Sequence, residues 1–208
     1  MRVEWTEGTD PAMSLLSPLR FVRDWYSWWR RDFQPPYPSL VKRRTIAQYL
    51  DPESVFIETG TFLGQTSRWA GARCREVHTI EVSDSLYARI SPGLEKVGIR
   101  TYKGDSTEVL PAILEELEAR SVVIWLDAHW SGGITARAES GDTPVDSEVL
   151  QVESWFRKHP GIKFTLLVDD LRDFERDSEY PRLEFLIEFA RRNDLEVRIA
   201  NDIFAATT

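Results

Sequence analysis

The residues with the most chemical content sit between Val55 and Thr66, where an apolar run ends in Glu58 and two glycines follow, Gly60 and Gly64, four positions apart. Glycine lets a chain turn tightly and bring its backbone against a ligand as larger residues cannot. Glu81, 21 positions beyond Gly60, closes a second apolar run. An acid at that separation, at the carboxyl end of the next strand, is placed to accept hydrogen bonds from the two hydroxyls of a ribose. The spacing is Glu-x-Gly-x-x-x-Gly, not the Gly-x-Gly-x-x-Gly of pyrophosphate-binding dinucleotide folds. The plain alternative is a strand–turn–helix junction whose glycines serve backbone geometry alone. Further acids close the later apolar runs: Asp105, Asp127 and the Asp169-Asp170 pair. One acid at a strand end is commonplace, but a succession along one rim reads as a site. His129, two residues beyond Asp127, has an unperturbed pKa near neutrality and is the candidate general base, unless it merely caps its loop or contacts a substrate.

The elements that must position these residues follow from periodicity. Short apolar strands are expected at Val55–Ile57, Glu76–Glu81, Ile99–Tyr102, Ser121–Leu126 and Phe164–Val168, and two more near Val197–Ile199 and Ile203–Ala205, joined by an Asn201-Asp202 turn. Helices are expected from Leu40 to Leu50 with Ser39 as cap, after Gly64, from Ser83 to Ile90 with Ser91-Pro92-Gly93 ending it, from Thr107 to Arg120, after Thr143-Pro144, and from Arg182 to Arg192. Strands alternating with helices imply a parallel α/β sheet whose ligands bind at the carboxyl ends of the strands. Ahead of this lies a different pattern. Leu15, Leu19, Val22, Trp25, Trp29 and Phe33 recur at three- and four-residue steps, flanked by Arg20, Arg23, Arg30 and Arg31, and Pro35, Pro36 and Pro38 end the stripe. Such a helix could pack on its own domain, lie on a membrane surface, act as a lid or meet a second copy.

The 208 residues, 42% hydrophobic, suffice for one sizeable core with a terminal extension. The net charge of −8 argues against a nucleic-acid backbone as partner, since that binding needs clustered Lys and Arg, and favours a neutral or cationic small molecule. Cys74 is the single cysteine, which excludes an intrachain disulfide and fits a reducing cytoplasm. No apolar run approaches the roughly 20 residues of a membrane span, and no signal sequence is evident.

From about Phe56 onward the sequence resembles the class I S-adenosylmethionine-dependent methyltransferases. The resemblance implies a Rossmann-like, doubly wound, mostly parallel α/β sheet of seven strands with a C-terminal antiparallel hairpin, here carried by residues 39–208, with residues 1–38 as a Trp-rich N-terminal helical extension. It also implies cofactor roles. Glu58, Gly60, Thr61, Phe62 and Gly64 wrap the methionine part of S-adenosylmethionine, Glu81 takes the ribose, and Asp105 and Ser106 edge the adenine, with Asp127 beside the cofactor. Within the family, Asp127-Ala128-His129 and Asp169-Asp170 are similar to the metal-binding pattern of cation-dependent O-methyltransferases of the catechol, caffeoyl-coenzyme A and macrolide-sugar types. Asp127, Asp169 and Asp170 are hard oxygen ligands of the kind Mg2+ prefers, and a bound cation lowers the pKa of a coordinated hydroxyl. His129 and the N-terminal segment depart from that pattern, since many of those relatives carry another acid or a lysine near the histidine.

The leading expectation is therefore O-methylation of a small-molecule hydroxyl, a sugar or a phenol, with Asp127 and His129 as catalytic groups and Mg2+ as the assisting ion. A nicotinamide-dependent oxidoreductase on a similar sheet is the rival enzyme. The glycine spacing argues against it, as does the lack of a lysine four residues after any of the six tyrosines. A cofactor-binding scaffold acting through the aromatic helix is the non-enzymatic rival, and a homodimer through that helix is one reading of its tryptophans.

Overall fold

A computed structural model of the chain describes residues 22–127, 144–175 and 180–208. Residues 22–30 form helix α1. Then come α2 (Ser39–Ile46), β1 (Val55–Thr59), α3 (Gln65–Gly71), β2 (Glu76–Glu81), α4 (Asp84–Glu95), β3 (Arg100–Lys103), α5 (Ser106–Glu115) and β4 (Ser121–Leu126). The chain closes with α6 (Val145–Arg157), β5 (Lys163–Val168), a 3-10 turn (Leu171–Glu175), α7 (Leu183–Arg192), β6 (Glu196–Ala200) and β7 (Ile203–Thr207). One seven-stranded sheet runs in the order β3-β2-β1-β4-β5-β7-β6. The first five strands in that order pair in parallel, while β7 pairs antiparallel with both β5 and β6. This is the expected doubly wound sheet with a C-terminal hairpin. Asn201 and Asp202 turn that hairpin with φ of 55° and 67°, the positive values that two-residue hairpin turns require.

Alternation along the strands sorts the core into two layers. Val55 and Ile57 face one cluster with Leu110, Val149 and Phe189 of α5, α6 and α7. Phe56 faces the other, with Ile46, Ala70, Ile90 and Leu94 of α2, α3 and α4. Register then aligns the strand ends. Thr59 lies opposite both Ile80 and Leu126, and Leu126 opposite Val168. The next residue on each strand, Gly60, Glu81, Asp127 and Asp169, therefore stands along one edge.

Three local expectations are corrected. Helix α4 does not stop at Ile90 but runs through Pro92 to Glu95, capped by Ser83. Continuation buries Leu94 completely, and that apolar contact outweighs the one backbone hydrogen bond proline removes. Helix α2 starts at Ser39 with Pro38 at the cap position and no side-chain cap, and ends at Ile46 rather than Leu50. Helix α5 stops at Glu115, short of Arg120, with Asp105 as its cap.

The aromatic segment is helical only to residue 30, and Asp32 and Phe33 then take positive φ. Trp28 meets Trp25, Phe33 and Tyr37 at ring-centroid distances of 5.1, 4.9 and 5.6 Å, so the segment folds on itself. Val22, Tyr26, Trp29 and Phe33 remain exposed. Leu15 and Leu19 lie outside the described residues. Among those described, no helix is long and apolar enough to cross a membrane.

Candidate active site

The glycine hinge follows β1 directly. Gly60 has φ of 116°, and a Cβ placed there would fall on the carbonyl oxygen of Asp127 at the end of β4. Gly64 has φ of 65° and heads α3, where a Cβ would press on Leu94 and Ile90 of α4. The two glycines are thus required for different reasons: the first by backbone against backbone across adjacent strands, the second by helix–helix contact. Between them Thr61 is buried and its hydroxyl pairs with Thr79 at 2.7 Å, while Phe62 is partly exposed with φ of 47°.

Glu81 sits where the expectation put it, at the end of β2, and is 5% exposed. Its Oε2 accepts the backbone N–H of Phe62 at 2.8 Å and its Oε1 that of Ser83 at 2.9 Å. Burial raises its pKa, and the two amides oppose that rise. The carboxylate is held by the hinge itself, which fixes its orientation relative to Gly60.

Glu58 belongs to the floor of the site. It lies within β1, 1% exposed, and its Oε2 accepts hydroxyl hydrogen bonds from Ser67 and from Thr79, the latter at 2.9 Å. Burial pushes its pKa up to about 8; Asp127 adds to the rise, while Ser67, Thr79 and Arg43 oppose it. At neutral pH such a group is mostly a neutral acid. Asp105 is likewise tied into the framework, since its Oδ1 accepts the Thr107 N–H at 2.9 Å and the Thr107 hydroxyl at 2.7 Å, the cap of α5. Ser106 is the first residue of that helix.

Beneath Ser106 is a residue that sequence reasoning missed. Glu148 of α6 is fully buried, and burial pushes its pKa up to about 7. The signal was present, because 148 falls on the apolar stripe made by Val145, Val149 and Val152.

The acids of β4 and β5 do converge. Oxygens of Asp127, Asp169 and Asp170 come within 4.8 Å of one another, and both members of the pair are buried. A second missed residue joins them. Lys42, from α2, places Nζ 2.6 Å from Asp169 Oδ2 and 2.7 Å from Asp170 Oδ1. Burial alone would lower the Lys42 pKa, but Asp169, Asp170 and Asp127 more than reverse that and hold the ammonium charged well above its ordinary range. Burial raises Asp169, with Asp127 and Asp170 adding to it and Lys42 opposing. Helix α2 is anchored for this by Ile46, buried in the core, and by Thr45, whose hydroxyl accepts the Asn201 side-chain N–H at 2.8 Å.

Arg172 extends the network, donating to Asp170 at 2.5 Å and to Asp202 in the β6–β7 turn. The Asp202 Oδ1 also accepts the Arg172 backbone N–H at 2.8 Å. His129 lies outside the described residues, as does Thr143, the expected cap of α6.

No family model matches the chain, and no curated protein matches it. Several solved structures to which the chain is similar carry methyltransferase names. An rRNA methylase from Streptococcus thermophilus is 13% identical, with 84% of this chain and 97% of that one covered at a TM-score of 0.47. The N-methyltransferase NodS from Bradyrhizobium japonicum is 11% identical, with 81% and 93% covered at 0.49. A geranyl diphosphate methyltransferase in complex with SAM is 8% identical, with 76% and 66% covered at 0.48.

Proposed function

We propose that this chain is an S-adenosylmethionine-dependent methyltransferase that acts on a hydroxyl of a small molecule. The observation that carries the reading is Glu81, a buried carboxylate at the end of β2 with one oxygen fixed by the hinge amide of Phe62 and the other by Ser83. Each oxygen keeps a lone pair for a donor, so the pair suits the vicinal hydroxyls of a ribose. The cofactor fits the hinge as well. Gly60 stands at the edge shared by Glu81 and Asp127, and the turn from Gly60 to Gly64 is the proposed place of the methionine moiety.

When bound, the sulfonium supplies an electrophilic methyl group. The chain must hold the acceptor oxygen in line with that methyl and take its proton. Asp127, at the end of β4 and aligned with Gly60 of the hinge, is the proposed orienting carboxylate. His129, two residues on, is the proposed base, because imidazole is the side chain whose unperturbed pKa lies near neutrality. The acceptor class is argued from charge. A net charge of −8 disfavours a phosphodiester chain and suits a neutral sugar or phenol.

The carboxylate trio has the donor type and mutual spacing for a hard cation, but Lys42 already lies between two of its members. The arrangement does not fit an added Mg2+ without displacing that ammonium, and no step here depends on one.

Calorimetric titration with S-adenosylhomocysteine tests the cofactor assignment. The expected result is saturable one-to-one binding by the full chain, weakened at least about tenfold by loss of one charge-assisted hydrogen bond in Glu81→Gln. No binding by the unaltered chain would overturn the reading.

A further inference from the structure

We propose that the Lys42 ammonium is the resident cation of the Asp127, Asp169 and Asp170 cluster, supplied by the chain in place of a divalent ion. The inference concerns the same edge as the proposed methyl transfer and rests on that reading only in the corollary that turnover needs no added metal.

Two buried adjacent carboxylates cannot both stay charged without compensation, because desolvation and mutual repulsion each penalise the ionised forms. Asp169 and Asp170 are 6% and 2% exposed, and Asp127 lies within the same 4.8 Å cluster. Compensation in such clusters comes from a metal, from protons or from a basic side chain. Here it is a basic side chain in a specific pose: one ammonium donates to one oxygen of each buried acid, at 2.6 and 2.7 Å. Lys42 is itself largely enclosed, with 17% of its side chain accessible. Its helix is pinned at Ile46 and Thr45, so the ammonium is delivered by a fixed element rather than by a loose surface stem. Arg172 donates to the same Asp170 Oδ1 that Lys42 contacts and is itself shared with Asp202. A divalent ion entering the cluster would meet Lys42 at contact distance, and like charges at such range in a poorly solvated site repel strongly.

The lysine thereby sets which cation the site accepts. It also couples α2 to the end of β5, so the first helix of the sheet domain docks through the same group that neutralises the edge. A lysine holds its charge at a fixed place on a covalent tether, with no dependence on free metal.

Mn2+ titration of the full chain, read by electron paramagnetic resonance of the free ion, tests this without any assay of turnover. The unaltered chain is expected to bind no stoichiometric Mn2+ that depends on Asp169. Lys42→Met, which keeps the stem and removes the charge, is expected to gain one site tighter by about tenfold or more than anything in the unaltered chain, from removal of one repelling unit charge. Lys42→Met/Asp169→Asn is expected to lose that site. A stoichiometric Mn2+ site in the unaltered chain that Asp169→Asn abolishes overturns the proposal. So does a folded Lys42→Met variant that gains none. Should Lys42→Met fail to fold, the unaltered chain still decides. The Lys42 side-chain 15N resonance, identified by its loss in Lys42→Arg, should keep its intensity as Mn2+ is added, and paramagnetic broadening at stoichiometric Mn2+ overturns the assignment. Failure to bind S-adenosylhomocysteine would strike the methyltransferase reading and leave this one standing.

Discussion

Gly60 and Asp127 are locked together by backbone alone: the α-carbon of the first faces the carbonyl oxygen of the second so closely that no side chain fits between them. Because Thr59 and Leu126 are register partners in adjacent parallel strands, this approach follows from the sheet and cannot be relieved by moving a loop. Gly60→Ala should therefore cost stability twice, once for a non-glycine residue at φ of 116° and once for the clash, about 3 kcal/mol or more together. Urea denaturation measures it. A variant as stable as the parent chain would show that the strand ends part more easily than described.

The hinge amide and Glu81 form a second interdependent pair. Glu81→Ala leaves the Phe62 and Ser83 N–H groups without their acceptor and removes the proposed ribose contact. S-adenosylhomocysteine affinity should fall by about 3 to 6 kcal/mol for two lost charge-assisted bonds, with the far-ultraviolet dichroism unchanged. Equal affinity in a folded variant would remove Glu81 from the cofactor site.

Glu148 makes a pH prediction. Its folded pKa of about 7 lies above the ordinary 4.5. Below the lower value both folded and unfolded chains hold the proton, and the group has no effect on stability. Between the two values only the folded chain keeps it, so stability falls as pH rises, by about 3 kcal/mol in all, and the loss is complete above the higher value. Glu148→Gln removes this ionisation. The stability difference between variant and parent should therefore move in the variant's favour by that amount from about pH 4.5 to about pH 7. Parallel stability profiles, from denaturant titrations across that range, would mean that Glu148 is not buried as a neutral acid. Glu58 has the same direction of shift in both proteins and cancels from the comparison.

The parallel part of the sheet was legible because an acid or a glycine follows or closes each of its strands, and register brings Gly60, Glu81, Asp127 and Asp169 to one edge. What the sequence did not reveal depended on contacts between distant parts of the chain. Lys42 meets Asp169 across 127 positions, and nothing around Lys42 distinguishes it from Arg43 or Arg44. Pro92 reads as a stop, yet α4 passes it because Leu94 gains a core position against Gly64. Asp105 read as a cofactor contact, and the structure occupies one of its oxygens in capping α5, a role the local Asp-Ser-Thr order also encodes. Acids at strand ends thus divided into those facing the hinge, such as Glu81, and those building the frame, such as Glu58 and Asp105.

Arg172 offers the last test, of how the frame is closed. Its guanidinium joins Asp170, at the end of β5, to Asp202, in the hairpin turn between β6 and β7, and Asp170 and Asp202 have side chains only 2% and 4% accessible. Both acids hold the guanidinium charged, against the opposing effect of burial. Arg172→Gln keeps much of the stem but leaves the shielded Asp202 carboxylate without its side-chain cation and Asp170 with Lys42 alone, which should destabilise the chain by about 3 kcal/mol. Asp202→Asn alone should cost less, because Arg172 retains Asp170 and the amide oxygen can still accept the Arg172 backbone N–H. In the double variant the two losses should not add, leaving a coupling of about 1 to 3 kcal/mol between residues 172 and 202. Denaturant titration of the four proteins gives that coupling directly. Additive losses would mean that the hairpin turn and the end of β5 are stabilised independently, with Arg172 serving Asp170 alone.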